Sequence, residues 1–153
     1  MGYLAQHPLF EQIPALRDDT RTPLYCYLSE RDDGGDNEPA ANGWFGPAGT
    51  VTPAHHDPKH NLLCQVVGRK YLRLYAADEP GSPSPLYPHA SGMHTNSSRV
   101  DLRAPDLDAF PRFRSAPYLE CVLSAGEMLY IPPRWWHYVQ SLERSFSVSF
   151  WWE

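Results

Sequence analysis

Sixteen prolines are spread through a chain of 153 residues, and they set the first limit on its fold. A proline inside a helix removes a backbone hydrogen bond and collides with the preceding turn, so long helices are excluded as the main architecture. The stretches between the prolines read as strands. Residues 62–67 and 70–75 are apolar runs separated by Gly68-Arg69, and a Gly-x pair in that place signals a type II′ hairpin. Strand signals begin at Trp44-Phe45 and return over residues 118–123, 128–131, 136–140 and 146–152, with a turn at Ser124-Ala125-Gly126. Residues 29–43 are acidic and turn-forming and read as an exposed loop. A short helix is expected around residues 7–16, interrupted by Pro14, and one helical turn over 105–110 within a long irregular stretch from 77 to 117. Together these predict a single all-β domain, a barrel or sandwich with short helical insertions.

The last strand separates its two faces cleanly. Phe146, Val148, Phe150 and Trp152 share one side, and Ser147, Ser149 and Trp151 share the other. The bulky side is suited to packing on a second layer. The small side either lines a cavity, as the inner wall of a small barrel can, or faces water; taken from this strand alone, water is the simpler reading.

Charge and composition exclude several roles. A net charge of −5 argues against a general nucleic-acid binder, which needs clustered Lys and Arg. No apolar run approaches the roughly 18 residues of a membrane helix, so no membrane contact is expected. Cys26, Cys64 and Cys121 are odd in number and widely spaced, which fits reduced thiols and an intracellular, nuclear or cytoplasmic setting.

The strongest local signal is Thr52-Pro53-Ala54-His55-His56-Asp57. On an extended chain His55 and Asp57 project to one side, where an imidazole and a carboxylate can supply two ligands to a divalent metal. A third ligand on a neighbouring strand would complete a two-His, one-carboxylate facial triad with open coordination positions. His137 is placed for that role, at a strand start among aromatics just after Pro132-Pro133, although a hydrogen-bonded core histidine would look the same. Lys70 opens the strand after the hairpin; it either pairs with a carboxylate of a small anionic co-substrate or is an ordinary solvated lysine. Asn61 shares strand parity with the pair, whereas His56 points away. Trp44, Phe45, Trp135, Trp136 and Tyr138 are candidates for keeping water from the site.

The runs WFGPAGTVTPAHHDPKHNLLCQVVGRKYLRLY and LSAGEMLYIPPRWWHYVQSLERSFSVSFWWE resemble the JmjC-domain oxygenases, and within them the Jumonji domain-containing protein 5 subfamily of arginyl hydroxylases and proposed peptidases. The resemblance covers most of the chain. It implies a double-stranded β-helix (a jelly-roll, cupin-like barrel) and a reaction using Fe(II), 2-oxoglutarate and O₂. It implies metal ligation by His55, Asp57 and His137, a carboxylate contact from Lys70, hydrogen bonds from Tyr3, Thr52 and Asn61, and packing by Trp151. His56 departs from the Gln common between the ligands, Trp136 from a common Tyr, and the loop at 80–85 is longer than usual. The chain starts near the co-substrate-binding tyrosine, so the N-terminal flanking elements of the family are expected to be missing.

The implied function is hydroxylation of a protein side chain, an arginine of a histone or other protein first, with lysine demethylation as a variant. The net acidity and the acidic residues 30–38 suit a basic, arginine-containing protein or peptide partner. Three alternatives remain at this level. A cupin-like isomerase or sugar-binding barrel would use similar metal ligands without needing Lys70. A metal-dependent peptidase would need a general base, for which Glu127 is nearest in sequence. The third is a non-catalytic, cupin-like metal-binding fragment.

Overall fold

Alternation at period two becomes strand pairing across two antiparallel sheets. The computed structural model describes residues 2–28 and 38–153. Its strands are β1 (Leu4–His7), β2 (Ala40–Gly46), β3 (Val51–His55), β4 (His60–Val67), β5 (Lys70–Tyr75), β6 (Leu119–Leu123), β7 (Met128–Ile131), β8 (Trp136–Ser141) and β9 (Ser145–Trp152). One sheet has the order β1-β2-β9-β4-β7 and the other β3-β8-β5-β6. The fold is the double-stranded β-helix expected, and among the described residues helical pieces are confined to α1 (Leu9–Gln12) and three 3₁₀ turns at Pro14–Arg17, Leu24–Tyr27 and Pro111–Ser115. No helix among the described residues is long and apolar enough to cross a membrane.

The β4–β5 hairpin turns on Gly68, whose φ of +73° is costly for any residue with a Cβ. A Cβ there would also collide with the Arg144 carbonyl oxygen of the β8–β9 turn, so the two hairpins close against each other only with glycine at 68. Gly126, with φ +89°, plays the conformational part of this role between β6 and β7.

Several expectations need correction. Residues 29–37 of the expected acidic loop, and with them most of the 30–38 acidic stretch, lie outside the described residues; residues 40–43 open β2 instead. The reason is tertiary: β9 is eight residues long and pairs β2 in unbroken register from Ala40↔Trp151 to Gly46↔Ser145, which overrides the turn tendency of Asn42-Gly43. The N-terminal strand β1 was not expected; it adds to the free edge of β2. The helical turn expected at 105–110 is one α-turn, Phe110 N–H to Asp106 O at 2.9 Å, and a 3₁₀ helix follows it at Pro111–Ser115. The rest of 77–117 stays irregular yet builds its own core, in which Leu86, Val100, Leu102 and Phe113 pack on Ala54, Tyr75, Trp136 and Tyr138.

The two faces of β9 are both buried. Val148, Phe150 and Trp152 pack outward against Phe10, Cys26 and Leu62 beneath the N-terminal segments. Ser145, Ser147 and Ser149 are fully enclosed between the sheets, which overturns the simpler reading of a water-facing side. Ser147 donates to Gln65 Oε1 at 2.7 Å and Ser141 bonds Ser145 at 2.9 Å, so these hydroxyls are satisfied inside the barrel. Small side chains on this inner wall leave room toward the Trp151 end.

Candidate active site

A narrow pocket lies between the sheets. The smaller sheet contributes Thr52, His55, Lys70, His137 and Val139; the larger contributes Trp44, Asn61, Leu63, Ile131, Ser149 and Trp151.

His55 closes β3 and His137 lies on the adjacent β8, with His55↔His137 as register partners. Their rings are 4.2 Å apart between centroids. Asp57 follows β3 and sends Oδ2 to 3.6 Å from Nε2 of each histidine. Those spacings are too long for hydrogen bonds and leave a gap ringed by donor atoms, all within 4.8 Å of one another. His55 Nδ1 lies 2.9 Å from Pro53 O and His137 Nδ1 lies 3.0 Å from Trp135 O. A backbone carbonyl can only accept, so both Nδ1 atoms carry a proton, and the neutral form of each ring presents its Nε2 lone pair to the gap. Burial, then the neighbouring His55, pushes His137 down to about 3, which keeps it neutral and able to coordinate.

The geometry depends on an irregularity in β3. Register runs from Thr52↔Val139 to His55↔His137, three residues on β3 against two on β8. This bulge at Pro53-Ala54 lets Thr52 and His55 face the same pocket although their spacing is odd. His56 does point away, edge-on to Trp136 at 4.6 Å, and burial lowers its pKa. Beyond it, the Asp57 carbonyl accepts from Arg134 N–H at 2.7 Å. Arg134 holds φ +64° at the third position of the Pro132–Trp135 turn, where a type II geometry requires a positive φ.

Lys70 occupies the other end. On β5 it shares the inward face with Leu72 and Leu74 and is 2% exposed, so the solvated hairpin lysine is ruled out. Among the described residues no carboxylate lies within 4.0 Å of its ammonium, and burial alone pulls its pKa down to about 8. Leu74, the register partner of His137, lies four residues along the strand from Lys70, a rise of roughly 13 Å.

Three uncompensated polar atoms point into the same space. Asp57 Oδ2, Asn61 Oδ1 and Trp151 Nε1 are half of the six buried side-chain atoms without a hydrogen bond among the described residues. Native interiors rarely leave such atoms unpaired, so a pocket that collects three of them beside a cation is shaped for a polar ligand. Tyr3 is brought in by β1; its hydroxyl bonds Thr52 Oγ1 at 3.1 Å, and burial raises its pKa and keeps it protonated. The opposing residue must be Gly46, because a Cβ there would approach Tyr3 to 2.8 Å. The eight residues that the sequence marks for metal or co-substrate binding therefore all line one pocket.

Of the five aromatics expected to dry the site, only Trp44 lines it, donating to Ser149 Oγ at 2.8 Å. Trp136 and Tyr138 face the core of the long loop, Phe45 is half exposed, and Trp135 contributes its carbonyl to His137. Glu127 is also absent from the pocket; its carboxylate accepts the Ser124 amide at 2.6 Å and closes the β6–β7 turn.

Residues 1–153 match the family described as the cupin-like domain. The chain is 56% identical over 153 residues to Lysine-specific demethylase JMJ30 of Arabidopsis thaliana, covering 98% of this chain and 33% of that protein. It is 53% identical over 152 residues to Lysine-specific demethylase 8 of Xenopus tropicalis, covering 99% and 33%. The chain thus spans about a third of the length of these curated relatives. Among solved structures it superimposes on the ribosomal oxygenase YcfD of Escherichia coli, in complex with cobalt and 2-oxoglutarate, with a TM-score of 0.50 and 18% identity over 76% of this chain and 24% of that one.

Proposed function

The chain belongs to the cupin-like domain family, as a JmjC-type domain, and on that premise we propose that it is the core of an Fe(II)- and 2-oxoglutarate-dependent oxygenase acting on a protein side chain. The observation that carries this reading is the pairing, in one pocket, of a three-donor cation gap with a buried ammonium that no carboxylate among the described residues pairs.

The donor set fits the metal. Two neutral imidazole nitrogens and a carboxylate oxygen without a partner form the facial arrangement suited to Fe(II). Fe(II) held by His55, Asp57 and His137 would supply the coupling of O₂ reduction to decarboxylation, in which R–H, O₂ and 2-oxoglutarate become R–OH, succinate and CO₂. The chain's own side chains do the rest. Lys70 neutralises the distal carboxylate of the co-substrate in a low-dielectric end of the pocket. Tyr3, Thr52 and Asn61 supply hydrogen-bonding groups along its length, Trp151 flanks it with an indole N–H, and Leu63, Ile131 and Val139 with Trp44 keep water out.

For the substrate, a basic side chain is the choice most compatible with a net charge of −5, and arginyl hydroxylation is the first reading. The names of the relatives favour a second, removal of a lysine methyl group: the same oxidation on an N-methyl carbon gives a hemiaminal that releases formaldehyde. A peptidase reading loses its candidate base, since Glu127 is committed to a turn. Free thiols at Cys26, Cys64 and Cys121 are compatible with a nuclear or cytoplasmic setting.

Anaerobic Fe(II) titration with and without 2-oxoglutarate tests the core of this proposal. The metal–co-substrate charge-transfer band should appear, and should be absent in Asp57→Ala. Iron binding with no response to 2-oxoglutarate would refute the oxygenase reading and leave a metal-binding barrel. Mass spectrometry of arginine- and methyl-lysine-containing peptides then separates the two outcomes: gain of one oxygen atom, or loss of a methyl group with formaldehyde.

A further inference from the structure

We propose that Asn96 is a positioning residue for the metal centre, fixing the peptide between the adjacent ligands His55 and Asp57; this rests on the metal-site reading above. The smaller sheet leaves β3 at its edge, paired only with β8, and β3 ends at His55. Asp57 therefore comes off the end of a strand whose outer side would otherwise be open. Residues 96–98 of the long loop close that side. Ser97 bridges His55, and Ser98 N–H donates to Ala54 O at 2.8 Å.

Asn96 completes the contact at the one residue between the ligands. His56 N–H donates to Asn96 O at 2.9 Å, and Asn96 Nδ2 donates to His56 O at 3.0 Å. Both backbone polar groups of His56 are thus held by a single residue forty positions away. The torsions on either side of His56 set where Asp57 Oδ2 lies relative to the two Nε2 atoms. Asn96 fixes them from one side, as the Arg134 amide fixes the Asp57 carbonyl from the other. The chemistry needs a side-chain N–H at this point. Aspartate has the same shape but would set a carboxylate against the His56 carbonyl.

The test is Co(II) binding to the full chain, without 2-oxoglutarate, followed by the visible d–d bands, with the melting temperature of the metal-free protein measured alongside. Asn96→Ala should weaken Co(II) by about five- to tenfold, the effect of losing one hydrogen bond behind the ligands. Asn96→Asp should weaken it further and alter the band intensities. Asn96→Gln, which keeps the amide donor, should recover much of the loss. Met93→Ala, at a loop tip that is 91% exposed, should bind like wild type. If Asn96→Ala does not fold, the Asp and Gln variants carry the same comparison. Wild-type affinity and spectrum in the Ala and Asp variants would overturn the proposal. So would losses that track the metal-free melting temperature with no recovery by Gln. A wild-type protein that fails to bind Co(II) removes the metal-site reading itself, and the role of Asn96 with it; binding by wild type and variants alike removes only that role.

Discussion

At the triad end of the pocket both imidazoles are aimed by hydrogen bonds to backbone carbonyls, while at the other end the Lys70 ammonium is placed by strand register alone. Under the proposed reading, the difference follows from what each end would have to do. A metal ligand has to present a lone pair along a defined direction, so its ring must be prevented from turning. An ammonium is a point charge with three rotatable donors and needs only to be in the right place and dry. The triad end accordingly invests in contacts, whereas the Lys70 end holds a cost: an uncompensated charge that burial opposes and that an anionic ligand would relieve.

Removing a donor should have the largest effect. Asp57→Ala is expected to weaken Co(II) binding by more than about 100-fold, beyond the range for groups that merely support ligands. The metal-free fold should tolerate the change, because Oδ2 makes no hydrogen bond among the described residues. Titration calorimetry checks the first point and thermal denaturation the second; a large loss of metal-free stability would show that the triad end is structural.

Next comes Lys70→Met, which should raise the Kd for 2-oxoglutarate by about 10- to 100-fold, the loss of one charge-assisted hydrogen bond. Urea unfolding should show the metal-free variant to be more stable near pH 7, by an amount on the order of 3 kcal/mol at most. Unchanged co-substrate affinity would end the assignment of the Lys70 end as an anion site.

The pH dependence sharpens the same contrast. Lys70 titrates at about 8 in the folded protein, below its ordinary value of 10.5. Between these values the unfolded chain binds more protons than the folded one, so the Lys70 contribution to stability rises with pH through that window. Below it, the full cost of burying the charge is present. Affinity for 2-oxoglutarate should move the opposite way: flat below pH 8, then falling about tenfold per unit as the ammonium loses its proton. Co(II) affinity should show no inflection of that kind.

The smallest effect expected is from Trp44→Phe. It keeps an apolar ring in the wall but removes the donor to Ser149, which is fully buried. A loss of about 1 kcal/mol in unfolding free energy is expected, with Co(II) affinity unchanged.

Much of this arrangement could be read from residue order. Apolar runs bounded by turn signals located β5 and β7 to the residue, and the Gly68 hairpin follows from its turn chemistry. The spacing of His55 and Asp57, and the position of His137 after two prolines, marked residues that the fold does bring together. What the order could not show depends on distant partners. Strand β2 forms over a turn-prone segment because β9 is there to pair with it. Whether Lys70 faces solvent or the interior depends on which face of β5 meets the larger sheet. Asn96 carries no local signal at all; it acquires meaning only where its loop lies along β3.

The extra residue in β3 has a genetic consequence. Substitutions at Pro53 or Ala54 can leave the register intact, but loss of one codon between Thr52 and His55 would restore a regular strand. With that residue gone Thr52 and His55 would stand two apart, and a regular strand presents both to the pocket. This short run is therefore a place where the chain could lose one residue and still keep both side chains on the pocket face.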